Sequence, residues 1–206
     1  MSILHYFSKD EELRAKFIFN LIAPLYKKVD KYLNNSFDYG IKKLNNEINI
    51  KGKSVLDIGT GTGAWIKKFY DMGAENLTGI DFSNNMLKQC KKNNTKINFI
   101  YGDAENLHQF ADNSFDIATA SLVLHGVKQN IRNKILDEML RVSKKYVVFQ
   151  DFYGKTPFFI SILEFLERSD YKNFKKNFKS ELAKKTINNK IIKLKYGIAL
   201  YIAEKK

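Results

Sequence analysis

The segment Val55-Leu56-Asp57-Ile58-Gly59-Thr60-Gly61-Thr62-Gly63-Ala64 decides how the chain is read. Ser54–Ile58 is a short apolar run of strand character. It passes straight into alternating glycines and then into a helix over about 64–72. Glycine lets the backbone turn sharply and lets a ligand approach the main chain closely. The helix that follows presents N–H groups with no intrahelical partner. Gly59, Gly61 and Ala64 also satisfy the G-x-G-x-x-[GA] pattern, so a dinucleotide site and a ligand-free βα turn both remain open on this segment alone.

Moving outward, strand-like and helix-like segments alternate across residues 53–151. Residues 76–81 form a second strand, and Ser83 caps a helix over about 84–92. Strands at 97–101 and 115–120 come next, then a helix at about 130–142 and a fifth strand at 145–150. This alternation implies βαβ units on a parallel sheet covered on both faces. Near 157–186 the sequence reads as helical, with Tyr171, Phe174, Phe178 and Leu182 at near-helical spacing. Residues 190–196 and 198–203 read as two strands joined tightly at Gly197, which must be antiparallel. Before the core, Leu13, Phe17 and Leu21 mark one helix, and Phe37, Ile41, Leu44 and Ile48 a second.

The expected fold is therefore α/β, a Rossmann-like mixed sheet of seven strands, five parallel plus a C-terminal antiparallel hairpin. The whole of 1–206 is expected to form one domain. Within it, 1–50 is a helical N-terminal cap, 53–151 the core, 152–190 a helical substrate cover and 190–206 the closing hairpin.

Composition narrows the classes. The chain has 206 residues and 44% hydrophobic content, enough for a substantial core. No apolar run is long enough for a membrane span. The opening MSILHYFSKDEELRAKF does not resemble a signal peptide. A single cysteine, Cys90, excludes an internal disulfide and any multi-cysteine metal site. A soluble cytoplasmic protein is expected. The net charge of +13 raises the question of nucleic acid, yet only four of the 35 basic residues are arginine. Arginine's planar fork is what phosphate and base readout tends to favour. Residues 151–206 carry 13 basic and 6 acidic residues, so much of the excess sits in the last quarter of the chain.

Three acids at strand ends separate the ligand classes. Asp57, beside the glycine turn, suits a cation and opposes a pyrophosphate. Asp81, closing the second strand in Gly79-Ile80-Asp81-Phe82-Ser83, is placed to hydrogen-bond ribose hydroxyls. Asp103, in Tyr101-Gly102-Asp103-Ala104-Glu105-Asn106-Leu107, is placed to accept from an adenine amino group, or else to cap its own loop. Together they fit one adenosine-bearing ligand.

These segments resemble the class I S-adenosylmethionine (SAM)-dependent methyltransferases, in particular the methyltransferase type 11 group. VLDIGTGTGAW is similar to the first motif, GIDFSNNML to the second, GDAENL to the adenine-contacting loop and NSFDIATASLVLHGV to the fourth-strand motif. The resemblance covers about residues 53–151. It implies that Gly59, Thr60, Gly61 and Gly63 line the methionine portion, with Asp57 near its amino group. It places Asp81 on the ribose, Phe82 and Met86 beside the adenosine, Gly102, Asp103 and Ala104 at the adenine, and Ser121 near the sulfonium. Tyr26 resembles an aromatic that related enzymes fold over the cofactor. The implied cofactor is S-adenosylmethionine, released as S-adenosylhomocysteine.

Methyl transfer from a sulfonium is an in-line displacement, and alignment alone can lower such a barrier by roughly 7–11 kcal/mol. No metal is called for. A base is needed only where the acceptor's nucleophile arrives protonated. His125, just after the fourth strand, is the candidate catalytic residue, with support of the loop or pocket as the other role. The aromatic content of the flanks suggests an apolar or aromatic small-molecule acceptor. Phe19-Asn20-Leu21-Ile22-Ala23-Pro24-Leu25-Tyr26 faintly resembles the opening of quinone-biosynthesis C-methyltransferases. The stretch HGVKQN lacks that subfamily's arginine-containing signature, so no quinone is assigned. The alternatives are RNA modification through the Lys-rich segment 172–195, a dinucleotide-dependent oxidoreductase, and a catalytically silent SAM-binding protein.

Overall fold

The computed structural model describes residues 35–93, 96–166 and 169–206. A helix over residues 35–47 (α1) leads into β1 (Ser54–Ile58), α2 (Ala64–Asp71), β2 (Glu75–Asp81), α3 (Asn84–Asn93) and β3 (Asn98–Tyr101). The chain continues through β4 (Phe115–Ser121), a single 3-10 turn (Leu124–Gly126), α4 (Gln129–Val142) and β5 (Ser143–Phe152). It ends with α5 (Phe158–Leu166), α6 (Tyr171–Lys185), β6 (Thr186–Lys193) and β7 (Ile198–Lys205). Tyr26 and the first amphipathic stretch lie outside the described residues. No helix among the described residues is long and apolar enough to cross a membrane.

The seven strands form one sheet in the order β3-β2-β1-β4-β5-β7-β6. The first five run parallel, whereas β7 is antiparallel to both β5 and β6. This is the mixed sheet expected from the sequence. Its order reverses between β1 and β4, and a crevice at the carboxyl ends of strands forms at such a switch point.

Two apolar layers sandwich the sheet. On one side Phe37, Ile41, Leu44, Trp65, Ile66, Phe69, Leu87 and Cys90, from α1–α3, pack on Val55, Ile117 and Val148. On the other, Ile135, Leu136, Met139, Phe174, Phe178 and Leu182, from α4 and α6, pack on Leu56, Ala118 and Phe149. Alternate residues of one strand thus serve opposite layers, as a sheet buried on both faces requires. Each fully buried Phe or Leu contributes about 1.5–3 kcal/mol of transfer free energy. Trp65 is stacked at an angle on Phe37 and Phe69, and its buried indole N–H donates to the Thr119 hydroxyl at 2.9 Å.

The C-terminal third differs in detail from the sequence reading. The continuous helical stretch at 157–186 is two helices, broken where the Ser169 amide turns back to the Glu164 carbonyl at 3.1 Å. The hairpin starts at Thr186 rather than 190. The Thr186 hydroxyl closes the end of α6 on the Leu182 carbonyl at 2.6 Å, and the β-branched pair Thr186-Ile187 then continues as strand.

One buried cation ties together the elements of the second layer. The guanidinium of Arg132 is fully buried, 2.8 Å from Glu181, and donates to the Leu124 and Val127 carbonyls. It also lies over the Phe174 ring. Arg132 therefore clamps the turn after β4 between α4 and α6.

Candidate active site

The glycine loop sits at the carboxyl end of β1. Gly59, Gly61 and Gly63 all have positive φ (64°, 54° and 78°), which L side chains rarely adopt. A Cβ at Gly59 would lie 2.6 Å from Cγ2 of Val123, so the loop after β4 packs directly on this turn. Among the described residues, a Cβ at Gly61 would meet only the Gly59 carbonyl, at 4.0 Å, so these residues leave room above the loop.

Asp57 lies beneath that loop and is buried. Its Oδ2 accepts the Thr60 hydroxyl at 2.7 Å, while among the described residues its Oδ1 has no hydrogen-bond partner. Burial pushes its carboxyl up to about 7; the Thr60 hydrogen bond opposes this and the charge of Asp81 adds to it. A buried carboxylate with an unused oxygen is costly unless a cation or donor reaches it.

Asp81 closes β2 and binds the loop from the other side. Its Oδ2 accepts the Gly61 amide and its Oδ1 the Ser83 amide, both at 2.8 Å. Lone pairs remain on both oxygens. Phe82, next to it, is 78% exposed. Met86 is half-buried on the first turn of α3, whose start Ser83 caps weakly, Oγ accepting the Met86 amide at 3.4 Å. Cys90, from the same helix, donates its thiol to the Gly61 carbonyl at 2.8 Å. Burial, with the charges of Asp81 and Asp57, raises that thiol to about 11, so it stays a neutral donor.

Gly102, Asp103 and Ala104 follow β3. The Gly102 amide donates to the Asp81 backbone carbonyl at 3.1 Å. Asp103 is exposed, and its Oδ1 accepts the Glu105 amide at 2.9 Å, so it caps its own loop. Helix α4 holds the far end of this loop. Glu138 accepts the Leu107 amide, and Arg141 donates to the carbonyls of Leu107 and Phe110.

At the end of β4, the Ser121 hydroxyl is 3.4 Å from the Gln150 carbonyl. Leu122 then takes a left-handed conformation, φ 55°, and the 3-10 turn brings His125 into the interior. Its Nδ1 is 2.7 Å from Oδ1 of Asp151, and its Nε2 is 3.5 Å from Oε1 of Glu164 on α5. Asp151 also accepts the Leu124 and His125 amides through Oδ2. The ring packs edge-on against Phe152 and Phe174.

Thus the structure draws together Asp57, Thr60, Gly61, Asp81 and Gly102, while His125 belongs to a second cluster with Asp151 and Glu164. Asp151, Glu164, Cys90 and Arg132 are absent from the sequence reading of the site. Asp151 alone had a signal there, an acid ending a strand as Asp57 and Asp81 do.

The residues fit a sulfonium nucleoside. Asp57 offers an unused buried oxygen to an ammonium group, and Asp81 offers acceptors to ribose hydroxyls. The space over Gly61 admits a chain against the backbone. A buried acid with an unused oxygen below a glycine turn is an arrangement that such a cationic ligand would fit.

The comparisons agree. A family model described as "Methyltransferase domain" matches residues 55–146. The demethylmenaquinone methyltransferase of Paenarthrobacter aurescens is 39% identical over 129 residues, covering 62% of this chain and 49% of that protein. The malonyl-[acyl-carrier protein] O-methyltransferase of Buchnera aphidicola is 38% identical over 91 residues, 44% of this chain and 35% of that one. The chain therefore spans about half or less of the length of these two relatives. Magnesium protoporphyrin IX methyltransferase from Synechocystis, solved with S-adenosylhomocysteine, shares the fold, with a TM-score of 0.69 and 16% identity over 99% of both chains. Residues 55–146 thus match the methyltransferase-domain family, on a fold shared with a methyltransferase solved with S-adenosylhomocysteine.

Proposed function

We propose that this protein transfers a methyl group from S-adenosylmethionine to an apolar or aromatic small molecule. The observation that carries this reading is Asp57, a buried carboxylate with an unused oxygen under an open glycine loop. That pairing favours a cationic ligand and disfavours the pyrophosphate of a dinucleotide. When bound, the cofactor supplies an electrophilic methyl group on a sulfonium. Asp57 and the glycine loop hold its amino acid end, Asp81 its ribose, and Phe82 with Met86 flank the adenosine. Ser121 lines the wall toward the methyl.

His125 acts in this reading as a positioning residue. Its ring is buried, and its two nitrogens face Asp151 and Glu164, so it braces the β4 rim against β5 and α5. Proton abstraction from an acceptor would require Glu164 to move away. The small-molecule class of acceptor is supported by the relatives' own substrates, demethylmenaquinone and a malonyl group on acyl carrier protein.

Thermal denaturation tests the cofactor assignment. A ligand at a hundred times its Kd stabilises the fold by about 2.7 kcal/mol. S-adenosylhomocysteine should raise the melting temperature while NADH leaves it unchanged, and the reverse would overturn the reading. Transfer of labelled methyl to a panel of quinols, phenols and malonyl thioesters then identifies the acceptor.

A further inference from the structure

We propose that α5 and the lysines beside it form a docking surface for an anionic lipid bilayer. Phe158, Ile162 and Phe165 are 80%, 44% and 73% exposed. At about 100° per residue they share one side of the helix. Ile160 and Glu164 fall on the other side, where Ile160 packs against the cluster of Phe152, Tyr171 and Ile198 and Glu164 faces His125. One edge of α5 is thus seated on the body, and an apolar edge faces outward.

Cations flank the N-terminal end of that edge. Lys155, three residues before α5, is exposed. The turn between β6 and β7 abuts the same loop. The Tyr153 amide donates to the Gly197 carbonyl at 2.7 Å, and a Cβ at Gly197 would lie 2.4 Å from the Lys155 carbonyl oxygen. That contact brings the exposed Lys193 and Lys195 to the rim where α5 begins. A bulky apolar edge bordered by lysines is the pattern of a helix lying in a bilayer interface, aromatic side chains among the acyl chains and ammonium groups on anionic headgroups. The charge pattern selects this occupant, because a second copy would set these lysines against their own counterparts. The surface lies at the carboxyl end of β5, on the rim that carries the candidate active site. The proposal does not depend on methyl transfer.

Flotation of the full chain with vesicles tests it. Binding is expected to vesicles of phosphatidylcholine with a third phosphatidylglycerol, to weaken with salt, and to be far weaker with phosphatidylcholine alone. F158S/F165S and K155E/K195E should each cut the bound fraction about tenfold or more, with circular dichroism confirming that they fold. If F158S/F165S does not fold, F165W replaces it, and its emission should shift to the blue on anionic vesicles. Wild-type protein that ignores every vesicle, or a folded F158S/F165S that floats as well as wild type, overturns the proposal. So does an F165W emission that stays put, or a wild-type dimer that F158S/F165S converts to monomer without any vesicle binding.

Discussion

Oδ2 of Asp81 accepts the Gly61 amide proton at 2.8 Å, so the acid that ends β2 holds the loop that follows β1. One carboxylate thereby shapes the turn and, in the proposed function, also takes the ribose hydroxyls. Asp81→Asn keeps an oxygen for Gly61 but loses the charge that strengthens hydrogen bonds to a ribose. Affinity for S-adenosylhomocysteine is expected to fall about ten- to a hundredfold, and the bare protein should also melt lower, because the new amide nitrogen would face the Ser83 N–H that Oδ1 accepts. Equal affinity by calorimetry would remove Asp81 from the ribose site.

Asp57 makes binding pH-dependent. In the bare fold its carboxyl is raised to about 7, from an ordinary value of 3.8. Between these values the folded state holds a proton that the unfolded chain has released. The contribution of Asp57 to stability is therefore full at the acid end of that window and lost as pH rises through about 7. A cationic ligand favours the ionised form, so S-adenosylhomocysteine binding at pH 6 should expel a proton. Calorimetry in buffers of different ionisation enthalpy should detect this release in the wild type and miss it in Asp57→Asn.

Gly59 couples two loops. Substitution to alanine would impose a left-handed strain and place a methyl 2.6 Å from Val123. Gly59→Ala should be destabilised by at least about 1 kcal/mol in urea. Trimming Val123 to alanine in the same chain should recover the steric part only, because the backbone strain at φ 64° remains.

The His125 brace predicts a particular kinetic pattern. His125→Asn should lower kcat while leaving the shape of the pH–rate profile unchanged. Loss of an acid-side limb in the variant would show instead that the ring takes a proton.

Arg132 offers a stability test away from the ligand. Arg132→Met leaves Glu181 buried without its partner and should cost about 3–5 kcal/mol. The double variant R132M/E181M should recover part of that, measured by urea denaturation.

The core was legible in the chain because its signals are local. A strand buried on both faces must be mostly apolar, and Val55, Leu56 and Ile58 are, with Asp57 the exception that marks the site. A turn that needs three left-handed residues calls for glycine, as at 59, 61 and 63. The strand boundaries differ by at most two residues in β1–β5, and not at all in β1, since alternation and turn residues mark them directly. The break before α6 was less legible, because helical spacing of aromatics runs almost unaltered through Tyr171 while the Ser169–Glu164 contact that ends α5 is a matter of chain geometry.

By itself the sequence determined the strand–glycine–helix unit, the acids at the ends of β1 and β2, and hence the nucleoside-binding class. Each of these depends on neighbours within a few residues. Tertiary structure alone decided that His125 meets Asp151, 26 residues away, and Glu164 on α5. It alone placed Arg132 under the turn it clamps and turned Phe158 and Phe165 outward. Those outcomes depend on which side of a packed sheet each later element lands, which residue spacing along the chain does not encode.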